Sequence, residues 1–235
     1  MAFLEIEDVK VNYGKVRALK GVSIHIKEGE FIGLIGPNGV GKSTLLDTIS
    51  GLVSEWTGKL KFDNIDLSKL TPSERIDLGL IHCPERRHLF QYMTVKENLI
   101  MGAYNKNARK SMNENMELVY HLFPILKERQ NNIANTLSGG QAQMLAVGRA
   151  LMSNPRLLML DEPLLGVAPI LKNEFVKVLD NLKKKKVTVL ITEQEIFLTV
   201  RITDMIYIMN DGKITERGTS EQLKKEKDLQ EIYFI

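Results

Sequence analysis

Residues 36 to 44 read Gly-Pro-Asn-Gly-Val-Gly-Lys-Ser-Thr, with four residues between Gly36 and Gly41 and with Lys42 and Ser43 directly after. Glycines so spaced can take backbone angles closed to other residues, and their N–H groups can then converge into an anion-binding concavity. The apolar run Phe31-Ile32-Gly33-Leu34-Ile35 comes before them, and Leu45, Leu46 and Ile49 follow at helical spacing. A buried strand, a glycine turn and a helix start, in that order, aim a positive dipole end at the cradled anion. The pattern is a P-loop. It assigns Gly36, Pro37, Asn38, Gly39, Val40, Gly41, Lys42, Ser43 and Thr44 to the phosphates of a nucleotide, Lys42 to the terminal phosphates and the Ser43 hydroxyl to Mg²⁺.

Two further stretches carry chemistry. The apolar run Leu157-Leu158-Met159-Leu160 ends in Asp161-Glu162-Pro163. Two bare carboxylates at the tip of a buried strand are costly without a cation or a charged partner. Such a pair can cap the next helix. Downstream of a P-loop it suits a metal–nucleotide site better, with Asp161 on the Mg²⁺ hydration shell beside Ser43. Glu162 is expected to point the other way along the strand and to polarise the attacking water. The second stretch is Leu137-Ser138-Gly139-Gly140-Gln141, ahead of the helical pattern AQMLAVGRALM. Alone it is a helix N-cap and a second anion site. One nucleotide does not need two such sites from one chain, but two chains placed head-to-tail would use both.

The elements that must position these residues alternate. Residues 3–11 and Val22-Ile24-Ile26 read as half-exposed antiparallel strands, and Lys59–Phe62 as a short strand before a turn at Asp63-Asn64. Buried-strand patterns recur at 31–35, 80–83, 157–160, 187–191 and 205–209, with helical patterns between them. That alternation predicts an α/β fold with a mostly parallel sheet and helical crossovers. A helical block from about 90 to 152 interrupts it as an inserted subdomain within one domain over 1–235, and Lys213-Ile214-Thr215 with a short helix from Ser220 completes the chain. Lys183–Lys186 reads as a solvated helix end.

Composition sets the outer bounds. The chain has 235 residues, 43% hydrophobic and 26% charged, which is ordinary for a globular domain. A net charge of +3 does not point to nucleic acid. Cys83 is the one cysteine, so no internal disulfide forms, and it reads as a small buried apolar residue. No apolar stretch reaches the roughly 18 residues of a membrane span, and acids within MAFLEIEDVK argue against a signal peptide. Service to a membrane process would therefore be as a peripheral subunit.

A P-loop, then LSGGQ, then an apolar strand ending Asp-Glu-Pro resembles the ATP-binding cassette of ABC transporters, over nearly the whole chain from Leu4 to about Leu223. The resemblance implies a P-loop ATPase core, an N-terminal antiparallel β subdomain and a helical subdomain around LSGGQ. It further implies that two cassettes sandwich two ATP molecules, with Ser138, Gly139, Gly140 and Gln141 of one chain completing the partner's site. By the same resemblance Tyr13 stacks on adenine, 164–169 is the D-loop that touches the partner, and Arg149 is structural.

Two positions depart from the general family pattern. Glu85 stands where a glutamine is usual, keeping an acceptor but losing the amide donor, and its charge suits Mg²⁺ or the water network. Gln194 stands at the place of a γ-phosphate histidine, and His25, His82, His88 and His121 all lie outside its segment. With Lys42, Asp161 and Glu162 intact, the chain is expected to hydrolyse ATP. PERR-HLF, MTVKENLIMGAY, LLGVAPI and the Glu193-Gln194 pair are similar to the smaller ATPase of branched-chain amino-acid importers. That subfamily commonly has a glycine at Arg86, a serine at Leu164 and Glu-Gln-Gln at 141–143. The resemblance implies two permeases, a second cassette (a different, larger chain, or a second copy), indirectly a solute-binding protein, no nucleic acid, and a place on the cytoplasmic face of the membrane. Closely similar cassettes serve urea and amide importers. The motifs are also compatible with a soluble cassette ATPase and with a cassette that only dimerises on ATP. The apolar Leu89, Phe90, Tyr92 and Met93 in 85–98 serve either subdomain packing or docking to a membrane subunit, and docking predicts an exposed apolar patch.

Overall fold

The computed structural model describes residues 2–225; Met1 and residues 226–235 of the expected single domain lie outside the described residues. One sheet is antiparallel, in the order β2-β1-β4-β5, and comprises β1 (Leu4–Tyr13), β2 (Val16–Ile26), β4 (Trp56–Phe62) and β5 (Ile65–Asp66). The other comprises β3 (Phe31–Ile35), β6 (Leu80–Cys83), β7 (Leu157–Asp161), β8 (Thr188–Glu193), β9 (Met205–Asn210) and β10 (Lys213–Thr219). Its order is β10-β9-β3-β8-β7-β6, parallel throughout except for the antiparallel edge strand β10. This is the expected P-loop α/β fold.

The central strands read as continuous apolar runs because both faces of the second sheet are covered. Leu157 and Met159 face one core with Ile32, Leu34 and Leu190, shared with the antiparallel sheet and the P-loop helix α1 (Lys42–Ser50). Leu158 and Leu160 face the other core with Val189 and Ile191, against the helices. Burying each such side chain is worth about 1.5–3 kcal/mol.

Between β6 and β7 the chain forms α3 (Val95–Gly102), α4 (Lys106–Lys110), α5 (Met112–Leu122), α6 (Pro124–Glu128) and α7 (Gly139–Leu151). The single helical pattern over NENMELVYHLFPIL is broken in two at Phe123, because Pro124 supplies no N–H and disfavours helix in the residue before it. Further differences concern short elements. β2 begins at Val16 rather than Val22, β4 at Trp56, and β8 ends at Glu193. The helix α2 (Pro72–Asp77), opened by a Thr71/Glu74 capping box, and the five-residue α4 were not expected. The helices α8 (Pro169–Lys184), α9 (Ile196–Ile202) and α10 (Ser220–Lys225) complete the described chain. The lysine run at the end of α8 is not wholly solvated, since Lys183 Nζ lies 2.5 Å from Asp204 Oδ1. Cys83 is buried, and burial pushes its thiol up to about 12.

Candidate ATP site

The P-loop is clamped from two sides. Gly41 has φ +110°, and a Cβ there would come within 2.7 Å of the Ala18 carbonyl on β2. A Cβ on Gly36 would come within 2.3 Å of the Met209 carbonyl on β9. Lys42, first residue of α1, is buried. Its Nζ donates to the carbonyls of Gly36 (2.7 Å) and Pro37 (3.0 Å) and lies 2.9 Å from Glu162 Oε1. Pro37, Asn38, Gly39 and Ser43 are exposed at the mouth of the loop, with Val40 and Thr44 half-buried. A buried cation at a helix N-terminus, ringed by glycine backbone, fits a polyphosphate.

The turn after β7 is held by the neighbouring strand. Parallel pairing sets Asp161 beside Thr192 of β8. The Thr192 hydroxyl donates to Asp161 Oδ1 (2.6 Å) and accepts from the Glu162 N–H (3.1 Å). Glu162 is not aimed by strand alternation, as the sequence suggested. The strand ends at Asp161, and Glu162 takes a left-handed φ of +44° that turns its carboxylate toward Lys42. Its other oxygen accepts from Gln194 Nε2 at 2.6 Å. Gln194 and Glu162, 32 residues apart in sequence, thus act on the same point.

Sequence reading missed the role of Glu193. Its side chain is buried, and Oε1 accepts from the Leu164 N–H at 3.1 Å. Burial pushes its pKa up to about 7, the Glu162 charge adds to the rise, and the Leu164 and Gln194 N–H groups and Lys172 oppose it. The native state therefore holds a proton that an unfolded carboxyl releases at the ordinary value of 4.5. Stability is complete below that value, falls as pH rises toward 7, and stays reduced above it. Glu193→Gln keeps an acceptor for Leu164 and removes the buried charge. It should raise unfolding stability by up to about 3 kcal/mol at about pH 8 and by almost nothing at about pH 4.5. Urea denaturation at both pH values checks this; equal effects at both would contradict the ionic cause.

Ser43, Asp47, Glu85 and Asp161 line one cavity of about 520 Å³. Arg86 and His88 line it as well, and the three carboxylates and the Ser43 hydroxyl on the other side offer the oxygen donors that suit a hard cation such as Mg²⁺. His82 lies behind Asp47, with Nδ1 3.8 Å from Asp47 Oδ1. Burial pushes the His82 pKa down to about 4, so the imidazole is neutral near pH 7. It sits beside the metal-side carboxylates and does not occupy the place of Gln194. Asp47 is raised, by burial first and by Asp161 second.

Glu85 is exposed, on a loop fixed to α7. The Arg149 guanidinium donates to the Arg87 carbonyl (2.8 Å) and the His88 carbonyl (2.7 Å), and Arg87 Nε donates to Gln143 Oε1 (2.9 Å). Arg149 is therefore structural, as expected. Of the four apolar residues that follow, Phe90 and Tyr92 are exposed, whereas Leu89 and Met93 are half-buried and Leu89 packs on the helical-side core. Met101 and Tyr104 continue the exposed apolar surface.

Ser138 is the N-cap of α7. Its hydroxyl accepts from the Gln141 N–H (3.3 Å), and Gln141 Oε1 accepts from the Ser138 N–H (3.1 Å), a complete capping box. Ser138 and Gly139 remain exposed, Gln141 is half-buried and Gly140 is buried. Tyr13 is 52% exposed at the end of β1, on the hairpin whose second strand meets Gly41. Among the described residues, no helix is long and apolar enough to cross a membrane.

The ABC transporter family profile matches residues 19–165, which hold the P-loop, LSGGQ and the Asp161-Glu162 turn. The chain belongs to the ABC transporter family. Like other ATP-binding cassettes of the family, it is an ATPase. It is similar to the high-affinity branched-chain amino acid transport ATP-binding protein BraG of Pseudomonas aeruginosa, with 39% identity over 98% of this chain and 98% of BraG. It is also similar to the lipopolysaccharide export system ATP-binding protein LptB of Haemophilus influenzae, with 31% identity over 99% of this chain and 97% of LptB. A solved structure of an ABC transporter cassette in its ADP conformation matches with a TM-score of 0.85 and 31% identity, covering 99% of this chain and 98% of that one.

Proposed function

We propose that this cassette is the ATP-hydrolysing subunit of an importer of branched-chain, hydrophobic amino acids, working peripherally on the cytoplasmic face of the membrane. The observation that carries the reading is the 39% identity with BraG along nearly the full length of both chains. The similarity to LptB, at 31%, favours a second reading in which the same ATPase serves another cargo.

Bound MgATP supplies the γ-phosphoryl group and the charge of the metal. Gly36–Thr44 bind the phosphates, Tyr13 packs on the adenine, and Ser43, Asp161 and Glu85 hold the metal's oxygen shell. Ser138, Gly139, Gly140 and Gln141 of a second cassette complete the site. Glu162 takes the proton of the attacking water. Gln194, bonded to Glu162 at 2.6 Å, keeps that carboxylate aimed. Lys42, already gathered between the loop carbonyls and Glu162, steadies negative charge at the reacting end. Positioning and electrostatics of this kind carry phosphoryl transfer. The exposed Phe90, Tyr92, Met101 and Tyr104 support docking to a permease beside the Glu85 loop.

Affinity purification of the tagged chain from native membranes, with mass spectrometry of what stays bound, tests this. Two multi-span permeases, a second cassette and a solute-binding protein that takes leucine, isoleucine or valine are expected. A binding protein selective for urea, or an export assembly, would move the cargo assignment. Recovery of soluble partners alone, from membranes shown to hold intact transporters, would overturn transport.

A further inference from the structure

Three consecutive side chains at the tip of β8 each grip a different part of the turn after β7. Thr192 bonds Asp161 and the Glu162 N–H, Glu193 bonds the Leu164 N–H, and Gln194 bonds the Glu162 carboxylate. The middle contact differs in kind. Thr192 and Gln194 hold groups of the reacting centre, whereas Glu193 holds the backbone of the D-loop, residues 164–169. Leu164 is buried beneath that loop and Leu165, next to it, is exposed. A displacement of the exposed part of the loop is opposed within the loop by the Leu165 N–H on the Glu162 carbonyl (3.1 Å), and from β8 by the Glu193 carboxylate on the Leu164 N–H, two residues from Glu162.

We propose that Glu193 is a positioning residue for hydrolysis: by anchoring the Leu164 N–H it keeps the D-loop and the Glu162–Gln194 pair in one register. The inference rests on the ATPase activity and is independent of the cargo. The Glu193 side chain bonds the D-loop, while its contact with the P-loop is through its carbonyl, which accepts from the Gly36 N–H at 3.4 Å; a side-chain substitution keeps that carbonyl, so it should act on turnover rather than on nucleotide binding. The charged groups that face it are Glu162 at the end of β7 and Lys172 on α8. Lys172 is itself drawn to Glu195 at 2.5 Å, and Glu162 is paired with Lys42. An ionised acceptor bonds an N–H about twice as strongly as a neutral one, so the anchor tightens as Glu193 loses its proton near pH 7.

The test compares steady-state ATP hydrolysis by the full chain with that of Glu193→Gln and Glu193→Leu, across about pH 6 to 8.5, in the same assay in which the unaltered chain turns over. Glu193→Leu should lower kcat roughly 10- to 100-fold, the scale on which small misplacements act, with KM for ATP within about twofold. Glu193→Gln, whose neutral amide oxygen still accepts from Leu164, should turn over faster than Glu193→Leu and at about the rate of the protonated unaltered chain. Its rate should also lack the fall expected of the unaltered chain as pH drops through about 7. Unchanged kcat in Glu193→Leu would overturn the proposal. So would a pH profile of Glu193→Gln identical to that of the unaltered chain, a readout that stands even if the leucine variant fails to fold. Absence of hydrolysis by the unaltered chain would instead count against the ATPase reading itself.

Discussion

Glu162→Gln should abolish measurable turnover, with kcat falling by about 10³-fold, the midpoint of what a positioned general base contributes. The substitution is close to isosteric, but Lys42 and Gln194 both donate to Glu162, so the single amide oxygen keeps one of them and the other meets an amide N–H₂. One of the two bonds at 2.9 and 2.6 Å is lost, and nucleotide affinity should change little. The variant can hold ATP and no longer consume it. If ATP closes a pair of cassettes and hydrolysis opens it, the variant should collect as a closed pair in MgATP and run at twice the mass of the chain on gel filtration. Turnover within about threefold of the unaltered chain would remove Glu162 from the role of base. Loss of turnover without pairing would leave the base in place and contradict the sandwich arrangement.

Arg75→Ala should be the most destabilising single change outside the site. The Arg75 side chain is buried, and its guanidinium donates to four backbone carbonyls: Thr48 (2.7 Å), Ile49 (2.9 Å), Leu67 (2.7 Å) and Leu70 (3.1 Å). Thr48 and Ile49 lie in the last turn of α1, where a cation also meets the negative end of the dipole. No carboxylate is bonded to the guanidinium in the described contacts, and burial lowers its pKa. Truncation leaves the Ile49 and Leu70 carbonyls without a described donor, each costing about 1–3 kcal/mol, while the Thr48 and Leu67 carbonyls keep the N–H groups of Gly51 and Leu70. Allowing for relaxation, a loss of about 4 kcal/mol is expected, or roughly 10 °C in Tm for a domain of this size. Because α1 carries Lys42 and Ser43 at its other end, ATP affinity should fall as well. Arg75→Lys has three donors on a point charge and should recover only part of the loss. A Tm shift below about 2 °C in Arg75→Ala would show that other donors or solvent satisfy these carbonyls.

What the sequence revealed is what is contiguous and periodic. The P-loop, the buried strands and the helix after Ser138 each carry their signal within about a dozen residues, and the capping box that starts α7 is readable from Ser138 and Gln141 alone. What it concealed depends on strand register. Nothing local sets Thr192, Glu193 and Gln194 on Asp161, Leu164 and Glu162; the parallel pairing of β7 with β8 does that. The same holds for His82 beside Asp47 and for Arg149 holding the 87–88 carbonyls, where partners lie 35 and 62 positions apart. Glu162 is legible in the sequence but its aim is not, because a left-handed turn replaces the last residue of the alternation. Arg75 escapes entirely. An arginine in a short, mostly exposed helix looks solvated until the C-terminus of α1 is brought against it.

The most direct test of the composite site is the specific rate of ATP hydrolysis as a function of protein concentration, under conditions in which the chain runs as a monomer without nucleotide. If a P-loop from one cassette and Ser138–Gln141 from another form each site, turnover per chain should rise with concentration and level off once pairing is complete. Turnover per chain that stays constant over a hundredfold dilution would show that one chain hydrolyses ATP alone, and would contradict the shared site.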